Sequence, residues 1–138
     1  MRLVLDSNEY VFGFGSERKG SSERLLASLA TTPARHEIRL PRTILEEVRR
    51  NLPGRAFERV WTYLNALGIV PDEDWVVPFE TGWRYETAGL KPGDAFIAAY
   101  AEWARVDCLV TENRDFLQSK ELPFIVLKAE EFLKRHAS

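Results

Sequence analysis

The chain has 138 residues, 45% of them hydrophobic and 29% charged, which is the length of one domain and the composition of an ordinary globular protein. No apolar run approaches the ~20 residues of a membrane span, the N-terminus reads as a strand rather than a signal peptide, and a formal net charge of −2 does not by itself announce a nucleic-acid partner. The single cysteine, Cys108, cannot form an internal disulfide and fits a reducing cytoplasm, and two histidines as far apart as His36 and His136 make no zinc motif.

The first element is Leu3-Val4-Leu5, an apolar run that stops at Asp6-Ser7-Asn8. Consecutive apolar residues suit a strand buried on both faces of a parallel sheet. Asp6 then stands at the carboxyl end of that strand, where ligands bind in open α/β sheets. It is equally suited to cap the helix that follows. Glu9 to Gly15 reads as a helical turn or loop with glycines for tight packing, and Gly13-Phe14-Gly15 lacks the rest of a dinucleotide fingerprint or a P-loop. A helix from Ser21 or Ser22 to about Ala30 buries Leu25, Leu26 and Leu29. His36 to Leu40 alternates polar and apolar, as a strand near the sheet edge does.

Pro41 opens a helix over 42–51, with Ile44, Leu45, Val48 and Leu52 on a face about 100° wide. Glu47 lies nearer that face than Glu46, at the boundary between core and crevice. Pro53-Gly54 breaks the chain before a helix over 55–66, whose Phe57, Val60, Trp61 and Leu64 read as core. Gly68 to Pro71 is a short strand or connector, and Asp72-Glu73-Asp74 an acidic turn meeting solvent. A helix from Phe79 to about Ala88 stops at Gly89. The least polar helix covers 95–104, with Asp94 at its start, where it can act as cap and the helix dipole favours the ionised form. Val106 to Val110 is a second buried strand, followed by Thr111-Glu112-Asn113-Arg114-Asp115. Pro123 to Leu127 is a last strand, and Ala129 to Arg135 a last helix.

Strands alternating with helices imply an α/β domain with a mostly parallel sheet. Asp6 and the 111–115 segment then share the carboxyl edge, and Asp94 and Glu47 join them if their helices turn the same way. Clustered carboxylates without His or Cys suit a hard divalent ion, Mg²⁺ or Mn²⁺, which promotes attack of water on a phosphodiester. Residues 35–59 contain seven arginines (35, 39, 42, 49, 50, 55, 59) against four glutamates, and guanidinium groups suit phosphate. A phosphotransfer domain would pair aspartates at the first strand, and here Asp6 is followed by Ser7-Asn8 instead.

Four segments carry a resemblance that covers nearly the whole chain: Val4-Leu5-Asp6-Ser7-Asn8, Ile44-Leu45-Glu46-Glu47-Val48, Gly93-Asp94-Ala95-Phe96-Ile97-Ala98-Ala99 and Leu109-Val110-Thr111-Glu112-Asn113-Arg114-Asp115-Phe116. In this order and spacing they resemble the PIN-domain nucleases of the VapC-type toxins. The resemblance implies a three-layer α/β/α fold and a Mg²⁺- or Mn²⁺-dependent endoribonuclease in a toxin–antitoxin pair. By position, Asp6, Glu47 and Asp94 match the acidic ligands. At the fourth corner the family often has an acid where this chain has Asn113, so Asp115 is expected to serve, with Asn113 assisting. Ser7, Asn8 and Thr111 are expected to orient the carboxylates, and Arg42, Arg49 and Arg50 to guide the RNA backbone. A small antitoxin and a homodimer are implied as partners, with Trp75 and Trp83 as contact candidates. The alternative is a catalytically weak PIN-like domain that binds RNA or serves assembly, favoured by Asn113.

Overall fold

The computed structural model describes residues 1–52, 54–119 and 121–136. Four strands, β1 (Arg2–Leu5), β2 (Glu37–Arg39), β3 (Cys108–Val110) and β4 (Ile125–Leu127), form one all-parallel sheet in the order β2-β1-β3-β4. Leu3 to Leu5 and Cys108 to Val110 have no exposed surface, a condition met only where helices cover both sheet faces. From β1 the chain moves to one side to reach β2, then crosses back past β1 to reach β3. Right-handed crossovers in opposite directions put helices on opposite faces, so the architecture is three-layer α/β/α, as expected. The reversal also makes the carboxyl ends of β1 and β3 a topological switch point, the place where such sheets form a crevice.

Eight α-helices connect and flank the strands: α1 (Ser7–Phe14), α2 (Gly20–Thr31), α3 (Arg42–Asn51), α4 (Arg55–Ala66), α5 (Phe79–Thr87), α6 (Pro92–Trp103), α7 (Arg114–Leu117) and α8 (Ala129–His136). The 7–14 segment is thus two full turns of helix, not a loop. Its glycine has the expected packing role. A Cβ on Gly13 would lie 2.2 Å from Leu26 Cδ1, so the bare backbone of α1 lies directly against α2. On α4, Val60 and Leu64 are buried, whereas Trp61 is 43% exposed, at the rim of the core rather than in it. Gly54 begins that helix with φ +65°, the left-handed conformation glycine tolerates, while Pro53, expected to share the break, lies outside the described residues. Residues 67–72 form a connector whose last residue bridges the segment just after β2, where the Asp72 N–H donates to the Leu40 carbonyl at 2.8 Å.

The acidic turn departs from expectation, because all three of its carboxylates have partners. Asp72 accepts from Arg39 at 2.7 Å and from the Tyr100 hydroxyl at 2.5 Å, and Glu73 accepts from Arg42 twice at 2.8 Å. Asp74 accepts from the Thr43 N–H at 3.0 Å and from the Thr43 hydroxyl at 2.6 Å. The reason lies in α3. Pro41 occupies its N-cap and offers no side-chain bond, leaving the first N–H groups without partners. A carboxylate from 31 residues downstream supplies the cap and also meets the positive end of the helix dipole. This clip fixes the start of the helix that carries Glu47. Asp74→Ala is therefore expected to cost about 1 kcal/mol in urea unfolding, the usual loss for an N-cap. Asp74→Asn, which keeps an oxygen for the Thr43 N–H, should lose less.

Candidate active site

Asp6 is the N-cap of α1 and is buried. Its carboxylate is held from two sides. Oδ1 accepts from the Ser7 N–H at 2.8 Å, and Oδ2 accepts from the Thr111 hydroxyl at 2.6 Å. Its own N–H donates to the Val110 carbonyl at 2.9 Å, which extends the β1–β3 pairing past the strands. Helix cap and candidate ligand are therefore the same carboxylate.

Ser7 also reaches the second acid, its hydroxyl donating to Glu47 Oε2 at 2.8 Å. Glu46, one residue earlier, turns outward to Arg42 and Arg49, as the helical wheel required. Asp94 lies in the first turn of α6 but does not cap it, since Lys91 holds the N-cap position. Instead Asp94 Oδ1 accepts from the Asn113 amide at 3.3 Å, and the Asn113 N–H donates to Thr111 Oγ1 at 3.0 Å. One hydrogen-bonded chain thus runs from Glu47 through Ser7, Asp6, Thr111 and Asn113 to Asp94.

Electrostatics show how near these acids stand. Burial pushes the Asp6 carboxyl above the ordinary range, the bonds from Thr111 and Ser7 pull it down, and the charges of Glu47 and Asp94 raise it again. Asp94 is raised in the same way, by burial first, then by Asp115 and Glu47, against the bond from Asn113 and the charge of Lys91. Here desolvation and repulsion outweigh the helix dipole. At the fourth corner Asp115 is half exposed, with Lys91 Nζ 3.6 Å from its carboxylate. Asn113 caps α7 by accepting from the Asp115 N–H at 3.0 Å. Asn8 contributes no bond to this network, and its Oδ1 is enclosed without a partner.

Hydrogen bonds thus tie three of the predicted acids, Glu47, Asp6 and Asp94, into one chain, while Asp115 reaches it only through its charge on Asp94. Among the described residues, no three acidic, histidine or cysteine side chains are grouped tightly enough to enclose an ion directly. Of the three candidate arginines, Arg42 is committed to Glu73 and Arg49 pairs with Glu46, while Arg50 is exposed and forms no ion pair among the described residues.

No protein-family model matches the chain, and no curated protein does. Among solved structures it is similar to a chain in the crystal structure of VapBC2 from Rickettsia felis bound to a DNA fragment from their promoter, with 20% identity over 93% of this chain and 98% of that one and a TM-score of 0.60. The likeness is one of fold. It places the three-layer sheet architecture beside that of the VapBC2 chain and leaves the chemistry to the residues of this one.

Behind the acidic edge lies an acid that the sequence reading passed over. Glu9 is wholly buried. One oxygen accepts from the Ser22 hydroxyl at 2.9 Å, and Oε2 has no acceptor bond of its own. Burial, and then the neighbouring Glu112 carboxylate, push Glu9 up to about 9. A proton on Glu9 turns the orphan oxygen into a donor toward Glu112, whose Oε2 accepts from the Ala129 N–H at the start of α8. The sequence held a signal, since Asp6 and Glu9 have the spacing of a capping box. In that motif the glutamate bonds back to the cap N–H, but Val110 has taken that N–H, so Glu9 turns inward. Its folded value is raised above the unfolded 4.5, so the stability it lends is complete below pH 4.5 and is lost as pH rises towards 9. Glu9→Gln keeps the shape and a permanent donor. Its melting temperature should exceed that of the wild type by several degrees at pH 8, and the gap should close towards pH 4.5 in a calorimetric series.

Proposed function

We propose that this chain is a metal-dependent endoribonuclease of the PIN type and the toxin of a toxin–antitoxin pair. The observation that carries the reading is the hydrogen-bonded chain that draws Glu47, Asp6 and Asp94 together at the switch point of the sheet. Burial, and then neighbouring negative charge, raise the Asp6 and Asp94 carboxyls above their ordinary range; a cation would relieve both, and an all-oxygen donor set suits Mg²⁺ or Mn²⁺. Among the described residues no three of these side chains are grouped as ready ligands, so an ion would have to draw the acids in or keep several of its own waters.

Asp6, Glu47, Asp94 and Asp115 would hold the ion. When bound, it supplies Lewis-acid polarisation of phosphate and a more acidic water. The protein's own work is orientation. Ser7 and Thr111 fix both oxygens of Asp6, Ser7 also fixes Glu47, and Asn113 fixes Asp94, so the acids cannot swing apart as their charges would drive them. Arg50, and Arg49 once it leaves Glu46, would attract the RNA backbone. The solved neighbour is a complex, which supports a small antitoxin partner here. The exposed surface of Trp75, Phe79 and Trp83, with the last two rings stacked at 6.4 Å, is the place to look for it or for a second copy of the chain. No helix among the described residues is long and apolar enough to cross a membrane, and the buried thiol of Cys108 suits a cytoplasmic setting.

Incubation of the purified chain with RNA in Mg²⁺ or Mn²⁺ should give cleavage that EDTA abolishes. Asp6→Asn and Asp94→Asn should reduce it to background, and full activity in those variants would defeat the assignment. The second reading, an RNA-binding module with weak or no catalysis, draws on Asn113 and on the pairing of Asp115 with Lys91. Asn113→Asp separates the two. It exchanges a donor to Asp94 for a further negative charge, so without divalent ions the variant should melt below the wild type. Added Mn²⁺ should raise its melting temperature more than it raises the wild type's. A wild-type chain that takes up no Mn²⁺ in calorimetric titration would favour the second reading.

A further inference from the structure

A cleft of about 610 Å³ opens beside the acidic edge and shares Asp115 with it. Its walls come from the end of α5, the turn at 88–91, α7, and residues 118, 119, 121 and 122 that follow it. Tyr85, Leu90 and Leu122 give it apolar sides, Lys91 stands at its mouth, and Gln118 lies at the end of α7. The Tyr85 ring is buried, with its hydroxyl turned away to Glu102 at 2.8 Å. The Gln118 side-chain amide is exposed and makes no hydrogen bond among the described residues.

We propose that this cleft is a nucleobase subsite, which takes one unpaired base of the RNA strand next to the scissile phosphate. The inference rests on the ribonuclease reading and adds what that reading lacks, a reason for single-strand and sequence preference. The volume lies in the range of small-ligand pockets, roughly 300–1,000 Å³, and holds one nucleoside. Apolar walls suit a base that has left its stack, and a free amide presents both a donor and an acceptor to a base edge. Lys91 spans both regions, since its ammonium pairs with Asp115 and can pass to a phosphate that arrives there. A protein segment is the poorer occupant. The lining residues belong to helices and turns and offer no open strand edge, so an inserted strand would find no backbone ladder.

The test uses the full chain and two measurements. In the first, a labelled 2′-O-methyl oligonucleotide that resists cleavage is titrated in Ca²⁺ buffer, single-stranded and as a duplex, with fluorescence anisotropy as readout. The wild type should bind the single strand at least about tenfold more tightly, and Gln118→Ala and Leu122→Ser should each weaken that binding about five- to tenfold, the scale of one lost base contact. In the second, a randomised RNA pool is cleaved in Mn²⁺ and sequenced. The wild type should prefer certain bases at one position beside the cut, and Gln118→Ala should flatten that preference. Because Gln118 is exposed, its substitution leaves the core untouched. Equal binding of duplex and single strand, or variants with wild-type affinity and cleavage pattern, would overturn the subsite while the nuclease reading stands. Single-strand binding that depends on Gln118 in a chain that cleaves nothing would support the subsite and sink the nuclease.

Discussion

The bond from the Asp6 N–H to the Val110 carbonyl, 2.9 Å long, carries the pairing of β1 with β3 one residue beyond both strands. Without it the two central strands would still be buried, but their polar ends would have no fixed relation. With it, Asp6 lies opposite Thr111, and the hydroxyl bond between their side chains follows. A one-residue slip would turn every side chain of a strand to the other face. The core forbids that slip, because Leu3 to Leu5 and Cys108 to Val110 have no room to move. Packing in the sheet thus sets the geometry of the acids, and the acids, which repel one another, do nothing to set it themselves.

What could be read in the sequence divides along this line. Leu3-Val4-Leu5 and Cys108-Leu109-Val110 declare buried parallel strands by their own composition, and each ends abruptly in polar residues. The sheet, its edge and the candidacy of Asp6 follow from local pattern. Helical phase put Glu47 nearer the crevice than Glu46, and the family resemblance singled it out as a ligand. What could not be read depends on partners far away in the chain. The acidic turn at 72–74 resembles any solvated loop until Pro41 is seen to leave α3 without a cap. Glu9 resembles an ordinary helix glutamate until Val110 is seen to occupy the N–H that would have held it. Trp61 misled because helical spacing gives a direction and says nothing about how far the core extends along it.

Asn113 has a physical meaning that a tally of acids misses. Its amide donates to Asp94 and its carbonyl oxygen accepts from the Asp115 N–H. An aspartate there could do only the second and would add repulsion to a site already pushed up by burial and then by its own charges. The amide therefore holds the acidic edge together when no cation is present, at the expense of one negative charge. Under the proposed function, this position would set the balance between a site that is stable when empty and one that is avid for a metal.

The chain of bonds that orients the acids spans most of the polypeptide. Asp6 and Thr111 are 105 residues apart, and Ser7 and Glu47 are 40 apart. Loops of that length close late and slowly, because their entropy must be overcome before the contact returns anything. On a ribosome, then, the first three acids emerge well before β3 and the Thr111 hydroxyl that fixes the first of them. A nascent chain that ends before residue 111 carries Asp6, Glu47 and Asp94 and cannot align them. Whatever this edge does, it does only after residue 111 has been made.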